Sequence, residues 1–406
     1  MARLAVVISH PIQHFAPLFR DLGNVPELEL RVFYCCDWGI ADYTDPGFGQ
    51  TFKWDVPLLD GYDYEFLPID KRPSDLGFFS IDNPTVGQRL GDFSPDAVWI
   101  HGYSHRTSWR TYLWALKHRR KILYFGDSEL LSPRGIKARL FKRAVLPYFF
   151  SRCDAFLTIG DNNEAYYRHY GVPDRRMFRG SFPVDIARFR DSANAISKEE
   201  RIVRRQHHGL HSNALVALFS GKLIDIKRPL DLVAAVHRLR YEIPSLQALI
   251  LGSGPLEGKI REQIRGYGLS DRVILTGFVN QSQIPSVLHL GDILTMCSER
   301  DPHPLAVTEA MSVGNAIIAS DRVGCVGPTD AAREGQNALI YRCGQIEEIC
   351  ECIRTLHNNR DLLQRFQSRS IELAKSQDTS VMVQAVLTAI SDRTKMESTL
   401  TIRDST

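Results

Sequence analysis

No run of apolar residues in this chain approaches the ~20 that a membrane-spanning helix requires. No signal peptide is visible either, because the first apolar run, 4–9, begins almost at the initiator methionine. The cysteines (Cys35, Cys36, Cys153, Cys297, Cys325, Cys343, Cys350 and Cys352) include no Cys-x-x-Cys pair and fall mostly in apolar runs. They read as reduced core thiols rather than a zinc site or a disulfide framework. Cys350 and Cys352 stand close together but lack histidine partners. Charge of one sign is not in excess: the net charge is +3 with 24% charged residues, so composition carries no general nucleic-acid footprint. There is no repeat and no low-complexity tract. These absences imply a cytoplasmic globular protein whose contact with a membrane, if it has one, is peripheral.

What is present is a chain of 406 residues with ordinary apolar content, 44%, enough for two or three domains with cores of their own. Apolar runs at 4–9, 28–35, 64–68, 97–101, 121–125 and 155–159 alternate with helical patterns. That alternation predicts a parallel, Rossmann-like sheet. Residues 41–59, with Pro46, Gly47 and Gly49, read as a loop-rich insertion. A second set of strands is predicted at 214–219, 247–251, 273–275, 293–296, 316–319 and 338–341. Between the two sets, 191–212 is polar and histidine-rich, which places a first domain at 1–190 and a second domain at 213–375.

The densest chemistry lies at 298–314. The apolar run 293–296 leads into Ser298-Glu299-Arg300-Asp301-Pro302-His303-Pro304, and a helix follows from Leu305 and Ala306 until Gly314 stops it. Asp301 and Glu309 thus bracket a turn at the carboxyl end of a strand, where open α/β sheets bind ligands. The helix start favours an anionic group such as a phosphate. Upstream, the strand 214–219 runs into Ser220-Gly221-Lys222-Leu223-Ile224-Asp225-Ile226-Lys227, a loop with two ammonium groups. Gly252-Ser253-Gly254-Pro255 is a tight turn but no dinucleotide fingerprint, since Glu257 sits where a third glycine belongs.

Taken together these stretches resemble the retaining GT-B glycosyltransferases of family GT4. Asp301 and Glu309 keep the spacing of the Glu-x7-Glu signature, and Glu309-Ala310-Met311 with Gly314 matches its ending. The departures are Asp for the first Glu, and Pro302 and Pro304 where glycines are common. Gly221, Lys222 and Lys227 are similar to the family's basic loop, and Thr276-Gly277-Phe278-Val279 resembles the segment that holds the nucleotide base. The resemblance implies two Rossmann-like domains facing a cleft, with a helix at 376–392 crossing back to the first and a polar tail at 393–406. It implies transfer of a sugar from a UDP- or GDP-linked donor, with Glu309 on the ribose hydroxyls and Asp301 on the sugar. Lys222 and Lys227 would neutralise the diphosphate, with Gly252, His303, Pro304, Leu305 and Ala306 completing the donor site. No Asp-x-Asp pair occurs, so no metal and no cofactor are expected.

The first domain is less explicit. The strand 4–9 ends in His10-Pro11-Ile12-Gln13-His14 instead of a glycine-rich turn, and 97–101 ends in His101. His10, Gln13, His14, His101 and Asp127 are the expected acceptor-side residues, because strand ends face the cleft in this architecture. His105 reads as an exposed loop side chain. The pocket histidine common in relatives is absent near Gly126-Asp127. Residues 133–148 combine Ile136, Leu140, Phe141, Ala144, Val145 and Tyr148 at helical spacing with Arg134, Lys137, Arg139, Lys142 and Arg143, and no acid. Such a helix suits an anionic membrane surface at the inner face, or else a solvated face on a packed helix. Pro183-Val184-Asp185-Ile186-Ala187-Arg188-Phe189 looks like the end of the first domain. The acceptor is open among glycan, lipid-linked and small-molecule classes, with a cell-envelope glycan favoured. A sugar-nucleotide epimerase and a non-catalytic partner subunit are the rival readings.

Overall fold

The computed structural model of the chain describes residues 1–40, 43–45, 47–69, 73, 75, 77–131 and 135–392. The first sheet has seven parallel strands: β1 (Ala2–Ile8), β2 (Leu28–Tyr34), β5 (Tyr64–Phe66), β6 (Ala97–His101), β7 (Lys121–Phe125), β8 (Ala155–Thr158) and β9 (Met177–Arg179). They run in the order β5-β2-β1-β6-β7-β8-β9. A separate antiparallel hairpin, β3 (Tyr43–Asp45) with β4 (Gln50–Phe52), lies in the segment read as a loop-rich insertion. The second sheet runs β12-β11-β10-β13-β14-β15, from β10 (Leu215–Ser220), β11 (Leu246–Leu251), β12 (Val273–Gly277), β13 (Ile293–Met296), β14 (Ala316–Ser320) and β15 (Ala338–Tyr341). Helices cover both faces of each sheet, so the inner strands such as β6, β10, β13 and β14 are largely apolar and legible as near-continuous runs.

Strand order decides where a ligand can sit. In the first sheet the direction of winding reverses between β1 and β6, and in the second between β10 and β13. At such a switch point the loops leaving neighbouring strands diverge and open a crevice at the carboxyl ends. The loops after β10 and β13 carry Lys222 with Lys227 and Asp301 with Glu309.

The boundary between the domains falls earlier than composition suggested. Val184, Ile186, Phe189 and Ala193 are buried in the core of the second sheet, not the first. Asp185 caps the helix Ile186–Asn194 by accepting from the Arg188 amide at 3.0 Å. The polar stretch after it contains a further helix, Lys198–His207. Polarity marked the solvent side of these helices and could not show which sheet their apolar side faces.

The last described helix, Thr379–Ser391, returns to the first domain, where Met382, Ala385, Val386 and Ala389 are buried beside Phe15, Leu18 and Phe19. Its cap is Asp378, which accepts from the Ser380 amide at 3.0 Å; Thr379 donates to Asp21 at 2.6 Å. The expected tail, 393–406, lies outside the described residues, as do Pro133 and Arg134. Met382 is fully buried, so Met382→Ala leaves a cavity under the crossing helix. That substitution is expected to lower stability by about 2–5 kcal/mol, read from the urea midpoint.

Candidate active site

A cleft of about 410 Å³ opens between the two domains. Gly221, Lys222, Lys227, Gly252, Phe278, Val279, Asp301, His303, Pro304, Leu305, Ala306 and Glu309 all line it. The donor-side residues read from the sequence therefore share one hollow. The loops after β10 and β11 approach so closely that a Cβ on Gly252, at φ +133, would overlap the Gly221 carbonyl. Only glycine allows both that φ and that approach.

Lys227 sits on a short turn, Asp225–Lys227, and its ammonium is paired with Asp301, which Ser298 also reaches at 3.4 Å. The Glu299 amide donates to the Ile226 carbonyl at 2.8 Å, tying the same two loops together through the main chain. Lys222 lies over the ring of Phe48, 5.0 Å from its centre.

Glu309 is buried, and loss of hydration pushes its carboxyl up to about 7. The Arg188 charge and a hydrogen bond from Gln281 oppose that rise without cancelling it. Arg188 is held by donating to the Gln281 carbonyl at 2.7 Å and to its side-chain oxygen at 3.3 Å. Near neutral pH, then, Glu309 is poised between donating and accepting a hydrogen bond.

His303 faces Asp330 rather than Lys222 or Lys227. Its Nε2 is 3.3 Å from Asp330, its ring lies 5.6 Å from that of Phe182, and its buried Nδ1 has no partner. Asp330 also accepts from the Asp161 amide of the first domain at 2.8 Å, and Asn162 donates to the carbonyls of Gly324 and Val326 at 3.1 and 2.8 Å. The helix start at Asp161 is thus keyed into the loop behind His303.

The acceptor-side expectation is corrected by packing. Of its five residues only Gln13 lines the cleft. His14 is packed against Phe15 and Phe182, at 4.6 and 5.1 Å, and both its ring nitrogens are buried without partners. His101 is enclosed by Phe15, Trp99 and Phe125, at 4.6, 5.3 and 4.7 Å. Burial, and secondarily each ring's histidine neighbour, lowers both imidazoles to about 3, so they are neutral. His10 is engaged with Ser9 at 2.9 Å and stands 6.3 Å from Trp38. Asp127 is exposed outside the cleft, and His105 is half-buried rather than exposed. In their place Phe48, Trp54 and Phe182 of the first domain and its border reach the cleft, together with Gln281. The first-domain rings carried no polar signature that a sequence reading tuned to hydrogen-bonding groups would single out.

Residues 200–373 match the family described as glycosyl transferases group 1. The chain is 25% identical to the EpsD protein of Bacillus subtilis (strain 168) over 255 residues, 62% of this chain and 64% of that one. It is 24% identical to the alpha-D-kanosaminyltransferase of Streptomyces kanamyceticus over 202 residues, half of each chain (50% and 50%). It thus spans less than two thirds of the length of either relative. Among solved structures, Anabaena Alr3699/HepE in complex with UDP superposes with a TM-score of 0.74 at 17% identity, covering 96% of this chain and 100% of that one. The fold is GT-B, two Rossmann-like domains facing a cleft.

Because the native state keeps a proton on Glu309 that the unfolded chain releases, stability should fall as pH rises from about 4.5 through about 7. Urea midpoints measured across that window should show the decline in the wild type and a flatter profile in Glu309→Gln.

Proposed function

We propose, from the match of residues 200–373 to the group 1 glycosyl transferases, that the chain is a retaining glycosyltransferase that needs no metal. It moves a sugar from a nucleoside-diphosphate donor to an acceptor hydroxyl. The observation that carries this reading is the convergence of Lys222, Lys227, Asp301 and Glu309 on one interdomain cleft. As the bond from the anomeric carbon to the diphosphate breaks, charge develops on the leaving oxygen. Two ammonium groups in a partly dry cleft stabilise that charge in the role a cation would otherwise fill. The acceptor oxygen attaches on the face the diphosphate leaves, and its proton passes to the departing phosphate. Glu309 accepts from the ribose hydroxyls and Asp301 orients the sugar. The solved complexes of HepE contain UDP, UDP with glucose, and UDP-glucose, which makes a UDP-linked donor the first to try.

The first domain also carries a surface suited to an acceptor at a membrane. In the helix Ile136–Ser151, Leu146, Phe149 and Phe150 pack inward. Ile136, Leu140, Phe141 and Tyr148 are instead exposed by 64% to 67%. The apolar positions picked out by their spacing are thus the outward ones, which a helix simply packed on its sheet would not show. Lys137, Arg139 and Arg143 are exposed around them, whereas Lys142 turns inward to Tyr166 at 3.2 Å. An apolar strip bordered by cations and free of acids matches an anionic bilayer. Among the described residues no helix is long and apolar enough to cross one. We therefore place the protein at the inner face of a membrane, acting on a cell-envelope glycan or its lipid-linked precursor.

UDP, or GDP if the donor is guanosine-linked, should raise the melting temperature of the wild type. Lys227→Ala should lose that shift, together with a rate loss on the order of a hundredfold in donor turnover. No shift with any nucleoside diphosphate would sink the donor reading, and an epimer released without acceptor would replace transfer by epimerisation. In co-sedimentation, the wild type should pellet with vesicles rich in phosphatidylglycerol but not with neutral ones, and Leu140→Glu with Phe141→Glu should stay in solution. Equal pelleting of that double variant would refute the membrane face.

A further inference from the structure

The hairpin β3–β4 and the residues after it belong to the first domain, yet hydrogen bonds at 48–55 tie them to the second. Ser253 donates to the Phe48 carbonyl at 2.9 Å and Asn280 donates to the Lys53 carbonyl at 2.7 Å. The Ser282 amide donates to Asp55 at 3.0 Å, and the Ser282 hydroxyl donates to the same carboxylate. Between these clamps four rings gather. The centre of Phe278 lies 5.2 Å from Phe48, 4.5 Å from Phe52 and 6.4 Å from Trp54. Phe52 is buried in the group, but Phe48, Trp54 and Phe278 line the cleft.

We propose that Phe48 and Trp54 form, with Phe278, an aromatic wall on which the base of the bound nucleotide stacks. The inference rests on the reading of this cleft as a nucleoside-diphosphate site and adds a subsite that the first domain supplies. Lys222 touches the wall directly over Phe48, so the aromatic surface begins where a diphosphate-facing cation ends. Elsewhere in the cleft Lys227 is paired with Asp301 and His303 with Asp330. An apolar, ring-lined corner beside a phosphate-binding cation fits a planar heterocycle better than a hydroxylated sugar, since every base has a π-face that such rings can cover. Phe278 and Val279 meet the base from the second domain, Phe48 and Trp54 from the first. A bound nucleotide therefore bridges the domains at its base, and the hairpin's clamps hold the rings in register.

The test is calorimetric titration of the full chain with UDP, GDP and inorganic pyrophosphate. Phe48→Ala and Trp54→Ala should each weaken the nucleoside diphosphate that the wild type binds by about tenfold or more, the loss expected for one stacking partner. Pyrophosphate, which has no base, should bind all three proteins alike. Trp54→Phe should retain most of the affinity while losing the nucleotide-dependent change in tryptophan emission, which provides a readout even if an alanine variant folds poorly. Unchanged nucleotide affinity in both alanine variants overturns the wall, and so does an equal loss for pyrophosphate, which would mark a general opening of the cleft. Failure of the wild type to bind either nucleotide overturns instead the donor reading beneath it.

Discussion

A carboxylate and an ammonium withdrawn together from bulk water are stable only while each compensates the other. Asp301 and Lys227 stand in that relation, and the cleft is organised around them. They come from the loops after β13 and β10, neighbours across the switch point of the second sheet, so their pairing sets how far those loops can part. The main-chain bond from Glu299 to Ile226 runs alongside and keeps the pair in register. On the proposed reading, an incoming diphosphate shares the charge of Lys227 and leaves Asp301 freer to accept from sugar hydroxyls. On that reading the contact that joins the two loops is also the one the ligand loosens.

Two joints hold the domains about that centre. On one flank the first-domain hairpin is clamped to Ser253, Asn280 and Ser282. On the other, Asp330 receives the Asp161 amide with one carboxylate oxygen and faces His303 with the other. The second joint has a chemical consequence, because the carboxylate that faces the His303 imidazole also receives an amide of the first domain. Domain position and the shape of the site are therefore linked through a single carboxylate.

The strands were legible because doubly covered parallel sheets need unbroken apolar runs. Segments 97–101, 121–125, 293–296 and 338–341 coincide with β6, β7, β13 and β15. That Lys222, Lys227, Asp301 and Glu309 would share one cleft was legible because they lie in short contiguous loops whose residue types state their chemistry. The acceptor side was not: His14 and His101 occupy strand ends as expected, but the aromatic residues around Phe15 and Phe125 enclose their rings. The hairpin was read as loop because its pairing is short and its anchoring partners lie in another domain. Asp330 had no local signature, since its meaning depends on His303 and on Asp161 far upstream.

The path of the backbone has a consequence for synthesis. Val184 and Asp378 pair at the crossing, so the second domain is spliced into the first between them. A ribosome must therefore complete the whole second domain before it makes Met382 and Val386, which cover the apolar side of the helix Phe15–Gly23. Until then that side stays open to solvent and to other nascent chains. Of the two domains, the one begun first is the last to be finished, and the aggregation hazard during translation is concentrated on it.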